Sequence, residues 1–503
     1  MAWYEKLTSM DRVFLDIENN NSHMHVAATL IFEGGPLRKA DGGIDIERAR
    51  RYINSRLHLI PRYRQKLVFA PLTGEPVWVD DRSFNIHYHV RHTGLPRPGD
   101  DRCLKRLSGR IMSQQLDRGK PLWECWLVEG LDNDRVAMIS KTHHCMIDGI
   151  SGIDLMSVLL SPFADDEIAE PPHWNPDWAP NGWQVLATET LSRLTAPIGV
   201  SRAACGMLRR PLATARKIAD GVSAVGEALV ATSRRASDTP LNRNIGPHRR
   251  FDWLAMPLEQ VKAVKNSLGG TVNDVVLATV AGALGRFLAR RGIPALRQEE
   301  LQFRCFCPVS IRSQSERGTL GNRISGMVVD LPIGETDARR RLETVQANTR
   351  NVKDSKQALG AEVMAAVSEW TTPTLLSLAA RVSTGTRVYN MVVTNVPGPQ
   401  VPLYMLGAKV IETYPMVPLF ESQGLGIALF SYAGGLYWGF NADADVMPDL
   451  HDFVQAMAES FADLCQAANL EPQPATNGRA NGNHPGLRSG PGNGSSSPLS
   501  EGV

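Results

Sequence analysis

The sequence predicts an α/β (α+β) protein built as two lobes. Strand-like and helix-like runs mix in both halves of the 503-residue chain, as expected of layered sheet and helix. A Pro/Trp-rich stretch, Pro171-Pro172-His173-Trp174-Asn175-Pro176-Asp177-Trp178, interrupts them near the middle. The length also exceeds what one hydrophobic core serves, which favours two or three domains or two large lobes.

In the first half, residues 25–33 read as a strand on Val26, Ala27, Ala28, Leu30, Ile31 and Phe32. Residues 46–59 read as a helix, 136–144 as a strand, and 150–160 as the helix that follows it. The Pro/Trp-rich stretch then forms a surface connection. An Ala/Arg-rich segment, 183–237, follows, broken by Pro197 and Pro211. Within it Ile218, Val222, Val225 and Leu229 repeat at helical spacing. In the second half, 271–291 is a marked helix. Thr271 and Asp274 open it like a capping box, and Arg290, Arg291, Gly292 and Pro294 close it. Strands are expected at 303–311, 324–331, 389–394, 408–413, 426–432 and 436–441. The last two flank a hairpin signal, Ala433-Gly434-Gly435. A closing helix spans 449–468. From Glu471 the chain is Gly, Pro, Ser and Asn, a composition expected to be disordered. The expected division is therefore 1–170, a crossover at 171–249, 250–470, and a tail at 471–503.

Composition narrows the function. The apolar fraction of 43%, charged fraction of 21% and net charge of +2 are ordinary. Neither the charge nor any motif argues for nucleic acid. The seven cysteines are odd in number, irregularly spaced and without a C-x-x-C pair. They form no disulfide framework and suggest no zinc site, so a reducing compartment is expected. The start, Met1-Ala2-Trp3-Tyr4-Glu5-Lys6, is unlike a signal peptide, and no apolar run reaches ~18 residues. A cytoplasmic protein is expected, soluble or peripheral to the inner membrane face or lipid droplets.

The chemistry concentrates in His143-His144-Cys145-Met146-Ile147-Asp148-Gly149. A strand leads into the two histidines, and Asp148-Gly149 supplies a turn. Strand alternation puts successive side chains on opposite faces, so one histidine faces a given cavity and the other faces away. Alternation does not say which. Histidine suits a general base because its neutral form is abundant near pH 7, with a reference pKa of ~6.5. A buried, hydrogen-bonded pair beside a turn is the plainer reading of an isolated His-His. A thiol nucleophile at Cys145 is disfavoured, since its neighbour on a strand points away. There is no G-x-S-x-G elbow, P-loop or H-E-x-x-H.

H-H-x-x-x-D-G after a strand resembles the active-site motif of the CoA-dependent acyltransferase superfamily, which includes chloramphenicol acetyltransferase and peptide-synthetase condensation domains. Other segments resemble the bacterial wax ester synthase/diacylglycerol acyltransferase family, especially its actinobacterial triacylglycerol synthases. These are Pro121-Leu122-Trp123-Glu124, Asn273-Asp274-Val275-Val276, Pro308-Val309-Ser310-Ile311-Arg312, Gly321-Asn322-Arg323-Ile324-Ser325 and Thr394-Asn395-Val396-Pro397-Gly398-Pro399. The opening, from Leu7 to Met24-His25-Val26, is similar too. Each block alone is weak, and their joint order is specific. Thr394 departs from the serine of many relatives but keeps the hydroxyl.

The resemblance implies two chloramphenicol acetyltransferase-like lobes around a central substrate tunnel. It selects His144 as general base and His143 as supporting. It makes Asp148 structural, paired with an arginine, for which Arg64 is the first choice and Arg62 and Arg312 are rivals. Gly149 completes the turn. Asn273, Ser325, Thr394 and Asn395 form the pool for tunnel lining or oxyanion stabilisation, although Asn273 and Asp274 read first as helix caps. The implied activity uses acyl-CoA as co-substrate and needs no cofactor or metal. The implied acceptor is diacylglycerol, with long-chain fatty alcohols giving wax esters as the runner-up. An amide-forming condensation enzyme and a non-catalytic lipid-binding protein are the readings from other classes. Arginines outnumber acidic residues in 183–237, which suits contact with a membrane or lipid-droplet surface. A crossover packed on the protein itself is the favoured reading of that segment.

Overall fold

The computed structural model describes residues 4–146, 158–165, 167–178, 180–195, 235–310, 324–354 and 387–475. The first lobe runs β1 (Glu5–Lys6), α1 (Ser9–Ile17), β2 (His25–Glu33), α2 (Ile46–Arg56), β3 (Gln65–Phe69), β4 (Pro76–Asp80), α3 (Ile86–His89), β5 (Val90–Gly94), α4 (Asp101–Ser113), β6 (Trp123–Glu129) and β7 (Arg135–His143). The connection carries α5 (Gly182–Thr195). The second lobe runs β8 (Arg249–Pro257), α6 (Leu258–Leu268), α7 (Val272–Arg290), α8 (Ala295–Glu299), β9 (Arg304–Ser310), β10 (Ile324–Asp330), α9 (Ala338–Asp354), β11 (Met391–Pro397), β12 (Tyr404–Met405), β13 (Ala408–Met416), β14 (Leu425–Tyr432), β15 (Gly435–Asp443) and α10 (Leu450–Ala467).

Each lobe is built on a six-stranded sheet with its own apolar core, and β1-β4-β3 form a separate three-stranded sheet. The second-lobe order is β10-β9-β11-β14-β15-β8. Its core surrounds α7, on which Val275, Val276, Leu277, Ala278, Val280 and Ala281 are all buried. A helix apolar on every side needs cover on every side, which sheet, α9 and α10 provide. Among the described residues α7 is also the one helix long and apolar enough to cross a membrane, but most of it is buried inside the protein. Its start is a full capping box between Thr271 and Asp274.

The first-lobe sheet has the order β12-β13-β2-β7-β6-β5, so two of its six strands come from the second half of the chain. β13 runs antiparallel to β2, with Thr413 opposite Leu30 and Tyr414 opposite Thr29. An uncovered β2 would leave a row of unpaired backbone groups, and β13 covers it. The lobes expected as 1–170 and 250–470 are thus clasped by a strand exchange that no local pattern reveals. Where β13 crosses the second sheet, a Cβ on Gly439 would lie 1.7 Å from the Pro415 carbonyl oxygen, so only glycine fits. The 433–435 hairpin forms as expected, with positive φ at Ala433 and Gly434. β11 and β13 each extend three residues beyond the expected ends. The helices expected at 150–160 and around 218–229 fall largely or wholly outside the described residues.

Candidate active site

β2 and β7 pair so that His25 lies directly opposite His143. β7 stops there, one residue short of the expected end. The His144 amide turns away from the ladder to donate to the Met24 carbonyl at 2.7 Å, and residues 144–146 form a short 3-10 turn. This residue changes the geometry. Alternation would have sent the two rings to opposite faces; instead both meet α1. The Phe14 ring stacks on His144 with centroids 3.9 Å apart and planes 22° from parallel. His143 Nε2 lies 3.4 Å from Glu18 Oε2. Phe14 lies in the last turn of α1, and Glu18 is the extended residue that caps its C-terminal end.

Glu18 sits among cations and histidines. Arg118 Nη2 donates to its carboxylate, and His25 Nε2 is 3.6 Å from its other oxygen. Burial would raise the Glu18 carboxyl. The neighbouring His143, then Arg118, outweigh it and hold the group at about 2. His25 is fully buried, and burial with the nearby Lys141 charge pushes its pKa well down, so it stays neutral. Lys141 is buried on the same strand as His143. Its Nζ donates to the carbonyls of Ile111 and Gln114, both at 2.8 Å, and lies 2.6 Å from Glu124 Oε1.

His144 is partly exposed, but its Nδ1 is sealed from solvent. Burial of the ring, and then the neighbouring His143, push its pKa down to about 4, against the pull of its own backbone carbonyl. The ring is therefore an unprotonated base at neutral pH. Cys145 is fully buried and its thiol is pushed far up, mainly by burial, which leaves no thiolate for nucleophilic chemistry.

The loop between α1 and β2 ties this centre to the second lobe. Ser22 Oγ donates to the Leu419 carbonyl at 2.7 Å, and Arg249 donates to the Asn21 carbonyl. His144, hydrogen-bonded to Met24, thus lies beside the seam between the lobes. In the second lobe, Ser325 is opposite Val309 in the β9–β10 ladder. β11 holds only two rungs with β9, ending at Val392 and Phe306, and continues on β14. Thr394 and Asn395, both partly exposed, come just after that parting. Ser325, Thr394 and Asn395 therefore gather at one end of the second sheet. Asn273 is partly exposed at the start of α7. Its neighbour Asp274 is a cap whose other oxygen accepts from Thr349 Oγ1 at 2.7 Å.

Asp148, Gly149 and Arg312 lie outside the described residues. Arg64 donates to the Asn54 carbonyl and side-chain oxygens at 3.2 and 3.3 Å and lies over the Trp174 ring. Arg62 is engaged by Glu5 and Gln65. Among the described residues no cluster of three or more His, Cys, Asp or Glu is placed to hold a metal. A cavity of about 600 Å³, lined by residues including Tyr88, Arg91, Gln114 and Arg118, lies apart from His144 and meets the site through Arg118. Phe14, Glu18, His25 and Arg118 are residues that sequence reasoning missed. Their place in the opening segment, which resembles the family from Leu7 to Val26, was the available signal for Phe14, Glu18 and His25.

Residues 7–276 match the model of the wax ester synthase/diacylglycerol acyltransferase catalytic domain. The chain belongs to this family. Residues 320–465 match the family's C-terminal domain. The chain is 32% identical over 468 residues to a protein of Mycobacterium tuberculosis named as a probable diacylglycerol O-acyltransferase, covering 91% of this chain and 95% of that one. The fold matches the wax ester synthase/diacylglycerol acyltransferase from Marinobacter aquaeolei VT8 with a TM-score of 0.65 and 25% identity, over 92% of this chain and 100% of that one. A trichothecene 15-O-acetyltransferase from Fusarium sporotrichioides shares the fold alone, with a TM-score of 0.56 and 11% identity over 92% and 95% of the two chains. The wax ester synthase/diacylglycerol acyltransferase family supplies the reaction class: this chain is an acyl-CoA-dependent acyltransferase with the two-lobed fold of that group.

Proposed function

We propose that this acyltransferase moves a long-chain acyl group from acyl-CoA to the free hydroxyl of diacylglycerol, with His144 as general base. The observation that carries the assignment of the base is the ring itself, held neutral by burial and fixed by Phe14 at the lobe seam. With Nδ1 sealed, Nε2 takes the hydroxyl proton as oxygen attacks the thioester carbonyl. The C–S bond then breaks, and the thiolate leaves as coenzyme A, taking the proton back from His144. A thiol pKa of ~8.5 makes it a good leaving group. The developing oxyanion needs fixed donors, and losing one such donor typically costs ~10²–10³ in rate. Ser325, Thr394 and Asn395, gathered at one end of the second sheet, are the groups assigned to that task. No cofactor or metal enters this scheme.

The diacylglycerol acceptor is supported by the name of the Mycobacterium relative. Purified enzyme given one labelled acyl-CoA and either diacylglycerol or a long-chain alcohol is expected to form triacylglycerol faster. Predominant wax ester would reassign the acceptor without touching the chemistry.

Substrates insoluble in water favour an enzyme that works at a lipid surface. Phe69 and Leu72 at the β3–β4 turn and Trp183 on α5 are exposed by 40%, 90% and 63%. Gly182 abuts the backbone of that turn, so the three side chains share one corner. Aromatic and aliphatic side chains of this kind seat in the interfacial layer of a membrane. Leu72→Ser with Trp183→Ser is expected to reduce co-flotation with anionic vesicles while leaving turnover of a short soluble acyl-CoA unchanged. Unaltered flotation would remove the corner from that role.

A further inference from the structure

The Cys145 amide donates to His143 Nδ1 at 3.1 Å. An acceptor at Nδ1 has no proton there, so the proton of the neutral ring is on Nε2. That nitrogen has no hydrogen-bond partner among the described residues and lies 3.4 Å from Glu18 Oε2, with both side chains almost wholly buried. The turn that carries His144 is held by two backbone donors among the described residues: His144 to Met24, and Cys145 to the His143 ring. The second of these survives in one tautomer only. With the proton moved to Nδ1, two N–H groups would face each other and the turn would lose that restraint.

We propose that α1 and the residue that caps its C-terminal end position the histidine pair, with Glu18 selecting the tautomer of His143 that locks the turn under His144 and Phe14 fixing the His144 ring plane. The inference rests on the reading of His144 as base. The geometry gives each part a task. Arg118 balances the Glu18 charge at the same oxygen, Oε2, and donates to the Leu15 carbonyl at 3.2 Å, which anchors the end of α1. His25, neutral and 3.6 Å from the other Glu18 oxygen, fills the space behind the pair. Glu18 is therefore a positioning residue that acts through His143 and does not meet substrate.

A displacement of about 1 Å in a catalytic group can cost ~10² in rate. Glu18→Ala is accordingly expected to lower kcat by about 10²-fold with KM changed less than about twofold. Glu18→Gln keeps an oxygen for the Nε2 proton and is expected to recover most of kcat. In a His143→Asn background the Asn oxygen can still accept from the Cys145 amide, and no ring remains for Glu18 to orient. There Glu18→Ala is expected to cost less than about twofold, the non-additivity of two residues in one network. An equal cost in both backgrounds would overturn the proposal. Nitrogen NMR of histidine-labelled enzyme reads the tautomer without activity or any variant. A proton on Nδ1 of His143 in the unaltered protein overturns the proposal even if Glu18→Ala does not fold. An active His144→Ala enzyme would instead sink the assignment of the base and leave the tautomer measurement standing.

Discussion

His144→Ala is expected to abolish acyl transfer while the protein still folds. General-base help is typically worth ~10²–10⁴ in rate. The fold should survive because the ring's principal described contact is the Phe14 stack. Residual activity is measured as coenzyme A release, with melting temperature as the control. Full activity in a folded variant would end the assignment. The same residue sets an acid limit. Burial lowers its pKa to about 4, so the free base persists as pH falls through neutrality. The rate constant kcat/KM is expected to stay level from pH 7 to about 5 and to halve near 4, because protonation removes the base. The stability linkage has the same direction. The unfolded histidine, near 6.5, binds its proton first, so stability falls as pH drops from 6.5 toward 4. A half-fall of kcat/KM near 6.5 would mean that the ring is not buried as described.

Lys141→Met is expected to destabilise the fold far more than His144→Ala does. The ammonium is fully buried and bound by two helix-end carbonyls and Glu124. Breaking a buried ion pair from one side typically costs about 3–5 kcal/mol, since the remaining charge is left without its partner. Arg91 stays 3.3 Å from the other Glu124 oxygen and limits the loss. The carbonyls of Ile111 and Gln114 at the end of α4 lose their donor as well. Urea unfolding should show the loss, and adding Glu124→Leu should recover part of it. A double variant no more stable than Lys141→Met would mean that the lost carbonyl donor, not the stranded carboxylate, dominates. Because Lys141 lies two residues before His143, activity should fall with stability.

The legible elements were those whose signal is local. The strand at 25–33 and the helix at 449–468 appear within one residue of expectation, because alternation and helical period repeat over many positions. The capping box at Thr271 and Asp274 was legible for the same reason, since both partners lie within four residues. The end of β7 was less so. Whether a strand stops at residue 143 or 144 depends on the Met24 carbonyl, which belongs to another strand's approach.

The linear sequence by itself determined the ordered motif around His143 and His144, the alternation of strands and helices, and the blocks that mark the family. All of these are written in spacing along one chain. Only the tertiary structure decided what surrounds the histidines. Glu18 lies about 125 residues from His143, and β13 about 380 from the β2 edge that it covers. Such contacts form because a buried charge needs a partner and a strand edge needs a neighbour. These demands are met across space, and no periodicity records which distant segment meets them.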